Sequence, residues 1–417
     1  MVRDSCSWTE EEFFYPPLEL GSQSSCRLSY PTRYTSQILT KITLKIKFAA
    51  VISPQTLFAW KPELGLKLIK AFQIYIDQTL FCNISHDVLL LETYLQPSLE
   101  WESPVEKSVF CRYNTLSKPP LTLFLHLPID FSHPIAGIWK VVVKLYPESE
   151  IADATILCLP VIEHGSLIFH FKTYDAGPLP FLILGLKSQI EHAALPKSRS
   201  AVLNINLGGP RLRSFHFWPC LANKAQNVPF SDTWTLDIQD MSSYRDHQTL
   251  IQVTQVIPSS CISYIESRAL LKCPECQVVD GVRVLGPSRL VVQGTYKIRY
   301  SHIKIKMVFD LFESVAIYAN DMSLLENYQD PNYYRYLSYY SKGLAIPKSH
   351  MFSYFAALAP LQKTKLSGYQ DIVLRLIEVK WSLPFYEWLT FNNYEMRLVC
   401  IVYEYSLFCC KESKYVF

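Results

Sequence analysis

The chain has 417 residues, of which 49% are hydrophobic, 14% aromatic and 18% charged, and its formal net charge is +3. This length exceeds one ordinary hydrophobic core, so we expect two domains. The small net charge and the scattered lysines argue against a nucleic-acid-binding protein, which usually has a basic block or stripe. A membrane-spanning helix needs about 18 or more consecutive apolar residues, and the stretch LPFLILGL at 179–186 is too short.

The first 35 residues are predicted to form an arm outside the first domain. The stretch SWTEEEFFYPP at 7–17 suits an extended segment, and simple disorder is an equal alternative. Acidic residues stand where a signal peptide would be apolar, so we expect the protein to be made and used on the cytosolic side.

Apolar residues recur at every second position along most of the chain, which is the period of a β-strand. The segment ITLKIKF at 42–48 places four large apolar side chains on one face and Thr43 with two lysines on the other, towards water. Similar strand-like segments follow at 71–76, 121–127, 138–146, 166–171, 200–207, 233–238, 249–257, 289–294, 296–309, 372–381 and 396–408.

Prolines and turn residues separate these segments, and helical signal is thin. The pattern predicts an all-β protein made of two consecutive eight-stranded antiparallel jelly-roll sandwiches with long inter-strand loops. A turn-rich stretch near residues 208–231 is the predicted boundary, so the first jelly roll would span 36–215 and the second 230–417. Residues 63–72 and 387–396 are ambiguous between helix and strand, and 322–330 could form a short helix.

The segment from Met351 to Trp381 is predicted to be a strand, a loop and a second strand. The first strand, Met351–Leu358, would end its pairing at Pro360, because proline lacks a backbone donor. The polar loop at 361–368 would then cross to the other sheet, and Gly368 would permit the turn.

Residues with catalytic or metal-binding chemistry are scattered. The motif CPEC at 273–276 has metal-ligand spacing but lacks a second close pair, so free buried thiols are expected for the 12 cysteines. His126, His170 and His302 lie within strand patterns, where a structural histidine is more common than a ligand.

Carboxylates and glycines give no stronger signal of chemistry. Asp237 and Asp240 flank a predicted strand end and are typical of a turn. The chain lacks a phosphate-binding loop and a Gly-x-Ser-x-Gly elbow. We therefore assign no catalytic residue, no cofactor-binding residue and no metal ligand, and we expect no enzyme. Asn83 starts a glycosylation sequon but, without a secretion signal, is expected to be unmodified.

Four segments, at 63–95, 119–151, 233–255 and 333–381, resemble in order and spacing the major capsid proteins of the nucleocytoplasmic large DNA viruses, of the iridovirus, ascovirus and phycodnavirus type. The fourth segment is the most similar, with a tyrosine-rich loop, an aromatic strand ending in proline and a Ser-Gly turn. Leu366 stands where the family has proline, and residues 370–372 also depart from the family pattern. The chain is therefore identified as a divergent member of that family.

The resemblance implies two jelly rolls side by side, a homotrimer with a pseudo-hexagonal outline, and tiling of trimers into an icosahedral virion shell assembled in the host cytoplasm. It implies neighbouring capsomers and minor capsid proteins as partners, an arm directed towards an inner membrane, no cofactor and no direct contact with nucleic acid. The tyrosine-rich loop at 327–342 is a candidate subunit contact, and packing on its own domain is an equal alternative.

Three other functions stay open at this point, because a fold does not determine a function. The chain could be a minor capsid or scaffold-like relative of the shell protein. It could be a β-sandwich binding module, such as a lectin-like carbohydrate binder. A cupin-type metalloenzyme would need histidines and carboxylates on inward strand positions, and the sequence pattern offers no such cluster.

Overall fold

The fold is described from a computed structural model. The structure describes the following residues: 8–30, 37–49, 58–60, 64–95, 121–127, 137–154, 160–173, 182–230, 233–239, 248–255, 277–278, 282–284, 290–297, 302–308, 310–320, 322–323, 330–344, 346–347, 349–361, 366–391, 393–409 and 414–415.

The first half of the chain contains ten strands within the described residues. They are Trp8–Phe14 (β1), Gln23–Tyr30 (β2), Gln37–Phe48 (β3), Phe58–Trp60 (β4), Ile69–Ile76 (β5), Thr79–Ser85 (β6), Leu121–Leu127 (β7), Gly137–Leu145 (β8), Ala152–Ala154 (β9) and Ile162–Thr173 (β10).

The second half contains a further fourteen strands within the described residues. They are Leu182–Leu195 (β11), Ser200–Leu221 (β12), Thr233–Gln239 (β13), Gln248–Gln255 (β14), Gln277–Val278 (β15), Val282–Val284 (β16), Leu290–Lys297 (β17), His302–Val308 (β18), Phe312–Ala319 (β19), Met322–Ser323 (β20), Phe352–Phe355 (β21), Gln370–Trp381 (β22), Met396–Cys409 (β23) and Lys414–Tyr415 (β24).

The described helices are short and lie between strands. They are Leu64–Leu68 (α1), His86–Leu95 (α2), Glu148–Ile151 (α3), Ser338–Tyr340 (α4) and Leu383–Phe391 (α5), with a π-helical turn at Tyr333–Leu337 directly before α4. Among the helices of the described segments, none has the length and apolar content needed to cross a membrane.

The first half forms two four-stranded antiparallel sheets around one core. The strand orders are β1–β10–β3–β7 and β2–β8–β5–β6, and β4 pairs with β9 in a separate ribbon. Ile42 and Leu44 from one sheet and Ile74 and Val141 from the other are fully buried in the same apolar cluster. Two sheets that share a core in this way make a β-sandwich.

The alternation predicted for residues 42–48 is confirmed for its apolar face, whose four large side chains are fully buried. On the other face, Lys45 forms an ion pair of 2.9 Å with Glu12. The prediction for Thr43 is wrong, because this side chain is buried and its hydroxyl lies 2.9 Å from Nε2 of His170.

The second half is built around an eight-stranded sheet. Its order is β11–β23–β12–β22–β19–β20, with β21 on β12 and β24 on β23. Every strand pair in this sheet is antiparallel. The six strands β13 to β18 lie outside that sheet. Strands β13 and β18 pair in a two-stranded sheet, and β14, β15, β16 and β17 form a four-stranded sheet. The antiparallel, strand-dominated architecture confirms the predicted all-β class.

The predicted domain boundary near residues 208–231 stays a prediction, and strand β12 continues through its first part as far as Leu221. Gly208, at φ +99°, lies between two register shifts against β22, one from Asn204 to Leu207 and the other from Gly209 to Leu212. Such bulges bend a strand without ending it. In addition, β11 and β12 pair with strands of the second half, although most of their length falls within the predicted first domain.

The segment predicted as an arm, residues 1–35, contains two strands within its described residues 8–30, and both pair with strands of the sandwich. Strand β1 pairs with β10 as the outer strand of its sheet, and β2 pairs with β8. Between them the Tyr15 hydroxyl donates to the carbonyl oxygens of Ser24 and Val141, at 2.9 and 3.0 Å. These bonds and the burial of Leu18 hold the segment against the first-half core.

The strand–loop–strand predicted at 351–381 is confirmed in outline and wrong in two details. Strand β21 covers only Phe352–Phe355 and ends well before Pro360. The loop also does not cross to another sheet, because β21 and β22 pair with successive stretches of the same edge of β12. Gly368 has φ +128°, which supports its predicted role in the turn.

The ambiguous segments contain helices next to strands. Residues 63–72 hold α1 and the start of β5, and residues 387–396 hold the end of α5 and the start of β23. The expected helix at 322–330 is wrong at its start, where β20 lies, and its residues 324–329 lie outside the described residues. Of the residues predicted as a single strand at 296–309, 296–297 end β17 and 302–308 form β18, whereas 298–301 and 309 lie outside the described residues.

We expect Gly208→Ala to destabilise the protein more than Gly343→Ala. Both glycines have positive φ, of +99° and +66°, which costs other residues about 1–2 kcal/mol. A Cβ at Gly208 would also lie 2.5 Å from the carbonyl oxygen of Ile372, whereas a Cβ at Gly343 would meet no atom within 4 Å. The measurement is the free energy of unfolding in urea. Equal losses in the two variants would contradict the close approach of Gly208 to the backbone of Ile372.

Candidate functional site: the joint between the halves and the exposed apolar loops

The histidines considered for chemistry, His126, His170 and His302, lie on three different strands. The described residues contain no group of three or more His, Cys, Asp or Glu that could hold a metal ion. Within β10, Nδ1 of His170 lies 2.9 Å from Glu10 and Nε2 lies 2.9 Å from Thr43, so this histidine links three strands. His126 lies in β7 and His302 begins β18.

Other predicted positions divide between the described residues and those outside them. Asp237 lies inside β13, whereas Asp240 and the CPEC motif at 273–276 lie outside the described residues. Asn83 is exposed on β6, and its amide oxygen accepts a hydrogen bond from Gln73.

Four cysteines of the described segments, Cys26, Cys82, Cys220 and Cys400, are free thiols. Cys220 and Cys400 are buried, while Cys26 and Cys82 are partly buried. Burial raises the pKa of the Cys220 thiol to about 11, which keeps it in the unreactive protonated form near neutral pH.

Strands β12 and β23 form a buried joint between the two halves. Phe217 on β12 and Val402 on β23 pack into the second-half core. Trp218 and Ile401, their neighbours in sequence, pack instead into the first-half core. Because successive side chains of a strand point to opposite faces, these two strands contribute to both cores at once.

This arrangement explains one uninterrupted apolar run in the sequence, within β23. A strand exposed on one face alternates between apolar and polar residues, whereas a strand buried on both faces is apolar throughout. The run LVCIVY at 398–403 has six residues that are at most 4% exposed. Each large apolar side chain buried in this way stabilises the protein by about 1.5–3 kcal/mol.

A polar cluster crosses the joint beside these strands. Asp87, at the start of α2 in the first half, is 5% exposed. Its carboxylate accepts hydrogen bonds from Nδ2 of Asn227 at 2.9 and 3.1 Å and lies 2.9 Å from Nε2 of His192 on β11. Asn227 also accepts, through its backbone oxygen, a 2.7 Å hydrogen bond from the indole of Trp218. The cluster therefore fixes α2 against two segments of the second half.

A second buried network surrounds His216 on β12. Its Nδ1 lies 2.7 Å from the hydroxyl of Ser353 and its Nε2 lies 2.9 Å from the hydroxyl of Ser214. The Tyr339 hydroxyl joins the network at 2.5 Å from Ser353. A neutral imidazole has one donor and one acceptor nitrogen, and a hydroxyl can satisfy either. Burial, with a smaller contribution from Arg213, lowers the pKa of His216 to about 3.

Arg213 is a buried cation next to this network. It is 2% exposed, and its guanidinium lies 5.9 Å from the ring centres of both Tyr403 and Tyr405. The faces of these rings attract the positive charge. Its backbone oxygen accepts hydrogen bonds from Ala356 and Ala357, which connects β12 to the chain just after β21.

The tyrosine-rich loop, described from residue 330, is divided between buried and exposed side chains. Tyr334 packs into the second-half core and Tyr339 into the first-half core, and both are fully buried. Tyr340 is 77% exposed and Leu337 is 47% exposed. The loop therefore packs on its own chain with one face and presents the other to the outside, so both predicted roles remain available to it.

The loop after β21 has the same division between a fixed base and an exposed apolar surface. Ser367 fixes its two ends together, because its backbone oxygen accepts from Leu358 at 3.0 Å and its hydroxyl donates to Ala359 at 3.2 Å. The hydroxyl of Ser367 also lies 3.3 Å from that of Tyr405. Leu358 is nevertheless 75% exposed.

No protein-family model matches this chain, and no curated protein is similar to it in sequence. Solved structures are similar to it in fold. The Faustovirus major capsid protein is 9% identical, with 98% of this chain and 91% of that chain covered and a TM-score of 0.63.

Two structures from the virus PBCV-1 are also similar. One is the crystal structure of VP54 fitted into a cryo-EM reconstruction of the virophage Sputnik, 11% identical over 98% of this chain and 95% of that chain, with a TM-score of 0.60. The other is a quasi-atomic model of the PBCV-1 capsid, 12% identical over 100% of this chain and 98% of that chain, with a TM-score of 0.60. These likenesses confirm the predicted double jelly-roll fold.

We expect Asp87→Ala and Asn227→Ala each to lower the free energy of unfolding by about 1–3 kcal/mol, because each leaves a buried polar partner unsatisfied. The double variant should lose less than the sum of the two, since the second substitution removes a group that has already lost its partner. Urea unfolding measures all three, with the exposed Asp371→Ala as the control. Strictly additive losses would show that the two residues are not coupled across the joint.

We expect acid to destabilise the protein partly through His216. A histidine in an unfolded chain has a pKa of about 6.5, whereas folding lowers the pKa of His216 to about 3. Between these values the unfolded chain holds one more proton, so stability falls by about 1.4 kcal/mol per pH unit as pH decreases. The free energy of unfolding of His216→Gln, measured from pH 7 to pH 4.5, should lack this component. Parallel pH profiles for the two proteins would contradict the assignment.

Proposed function

We propose that this chain is a structural subunit of a viral capsid, without enzymatic activity, that associates with copies of itself to form the shell of a virion. The observation that carries the proposal is the similarity of fold over nearly the full length of both chains to the Faustovirus and PBCV-1 capsid structures. A similarity limited to one sandwich would have suggested a shared domain only, because jelly rolls occur in proteins of many functions.

The joint between the halves supports this proposal on physical grounds. A shell subunit made of two jelly rolls must hold them in one fixed orientation, since their relative position sets the outline of the assembled unit. Here β12 and β23 contribute side chains to both cores, and the cluster of Asp87, His192 and Asn227 adds directional hydrogen bonds. Domains connected only by a linker would move relative to each other.

The assembled unit that we propose is a homotrimer with a pseudo-hexagonal outline, as the sequence resemblance implies. Two similar domains in each of three chains give six similar units around one axis. The same resemblance predicts contacts with minor capsid proteins and with an inner membrane. Since residues 8–30 include two strands of the first sandwich, these residues are not available as an extended arm for a membrane contact.

The described residues favour neither a lectin-like binder nor a cupin-type enzyme. A cupin-type site needs a cluster of metal-binding side chains, and the described part of the chain has none. The described residues form one cleft of about 70 Å³ near Trp381 and Tyr386 and another of about 280 Å³ near Lys67 and Phe230. Common ligand pockets have volumes of roughly 300–1,000 Å³, so the first cleft is far smaller and the second is just below this range.

We expect the purified protein to be a trimer in solution, with three times the chain mass of 48.2 kDa. Light scattering coupled to size exclusion measures this mass, and negative-stain images should show particles with a pseudo-hexagonal outline. A protein that stays monomeric across the accessible concentration range, and that changes its melting temperature when a sugar is added, would overturn the proposal in favour of a binding module.

A further inference from the structure

Exposed apolar side chains are concentrated in the two loops that flank β21. Among their described residues, the tyrosine-rich loop and the loop after β21 expose six large apolar side chains, which we call the loop patch: Leu337, Tyr340, Leu358, Leu361, Leu366 and Tyr369. Each is between 44% and 77% exposed. Soluble monomers rarely expose so many large apolar groups in one region unless a partner covers them.

The size of the loop patch suits one side of a stable protein–protein interface. The exposed areas of the six side chains together equal that of about three and a half fully exposed residues. With about 200 Å² for each large side chain, this amounts to roughly 700 Å². A standard interface buries roughly 800 Å² on each partner, so the loop patch is large enough to be the centre of such an interface.

The loop patch is held in a fixed shape from behind. Tyr339, next to the exposed Tyr340, is fully buried and makes an edge contact with Phe355 at the end of β21, with ring centres 5.4 Å apart. Leu358 is held through its backbone by Ser367. A surface that is already ordered loses little conformational entropy on binding, which favours association.

A second, smaller apolar surface lies on the outer face of a first-half sheet. Ile138 on β8 is 59% exposed and Leu80 on β6 is 39% exposed. Between them on β5 lies Tyr75, which pairs in register with both Leu80 and Lys140, so these side chains share one face. We call Tyr75, Leu80, Ile138 and Lys140 the sheet patch.

The chemistry of the sheet patch also suits an interface. The ammonium group of Lys140 lies 5.7 Å from the ring centre of Tyr75, so its apolar stem and the ring border the two exposed aliphatic side chains. Tyrosine and aliphatic groups with a polar rim are typical of surfaces that are exposed before assembly and covered after it.

In a closed ring of three copies, each chain contacts its two neighbours through two different surfaces. The first surface of one copy binds the second surface of the next copy. We propose that the loop patch of one copy packs on the sheet patch of the next copy around the three-fold axis. This inference rests on the proposed function. In the proposed contact, the second half of each chain binds the first half of its neighbour. First and second halves therefore alternate around the ring.

The test uses the full-length protein and three single variants. Leu358→Lys places a charge in the loop patch, and Ile138→Lys places one in the sheet patch. Val202→Lys is the matched control, because Val202 is 59% exposed on β12 and lies outside both patches. Since all three sites are exposed, we expect circular dichroism and melting temperature to stay close to those of the wild type. The two patch variants should weaken trimer association by about 100-fold, and the control should leave it unchanged.

Mixing the two patch variants distinguishes the proposed contact from a contact between identical surfaces. In a mixture, the intact loop patch of Ile138→Lys can bind the intact sheet patch of Leu358→Lys, whereas the reverse contact is damaged in both chains. We therefore expect equimolar mixtures to form dimers with one copy of each variant. Each variant alone should stay monomeric at the same concentration, as measured by native mass spectrometry.

Three outcomes would count against the inference in different ways. A monomeric wild type overturns the proposed function itself. A trimeric wild type whose patch variants are also trimeric with unchanged affinity leaves the proposed function intact and overturns the inference. Patch variants that lose the trimer but form no mixed dimer overturn the pairing of the loop patch with the sheet patch.

Discussion

The structure depends on one sheet whose middle strands are buried on both faces. In β12 and β23, neighbouring side chains alternate between the first-half core and the second-half core, as Phe217 and Trp218 do. A slip of one residue in the pairing of these strands would exchange the two sets of side chains, and neither core would then be filled correctly. Packing of each core therefore specifies the register of the other.

Polar groups add direction to this apolar contact. Apolar packing tolerates sliding, but a buried carboxylate such as Asp87 is stable only when its partners stand at hydrogen-bonding distance. The partners of Asp87 come from β11 and from the loop after β12, so these bonds specify the angle between α2 and the second half. The network of His216, Ser214, Ser353 and Tyr339 does the same for β12, β21 and the tyrosine-rich loop.

Much of the fold could be predicted from the sequence, because strand alternation depends only on local order. The segment at 42–48 and the long strands at 372–381 and 396–408 were recognisable for this reason. Pairing between distant segments was not recognisable. The Gly-Gly-Pro stretch after Leu207 has the composition of a linker, yet tertiary contacts make it a bulge inside β12. The helix α2 and Asp87 were missed, since α2 is buried almost all round and lacks a polar face.

Surface positions were the least accessible to sequence reasoning, because exposure is decided by neighbours far away in the chain. Tyr339 and Tyr340 are chemically identical neighbours, and only the fold shows that one is buried and the other exposed. The outer strand β1 illustrates a related point. Glu10, which is 68% exposed, and Glu12 place negative charge along an otherwise open sheet edge. Charged side chains on an outer strand make its pairing with the edge of another sheet less favourable.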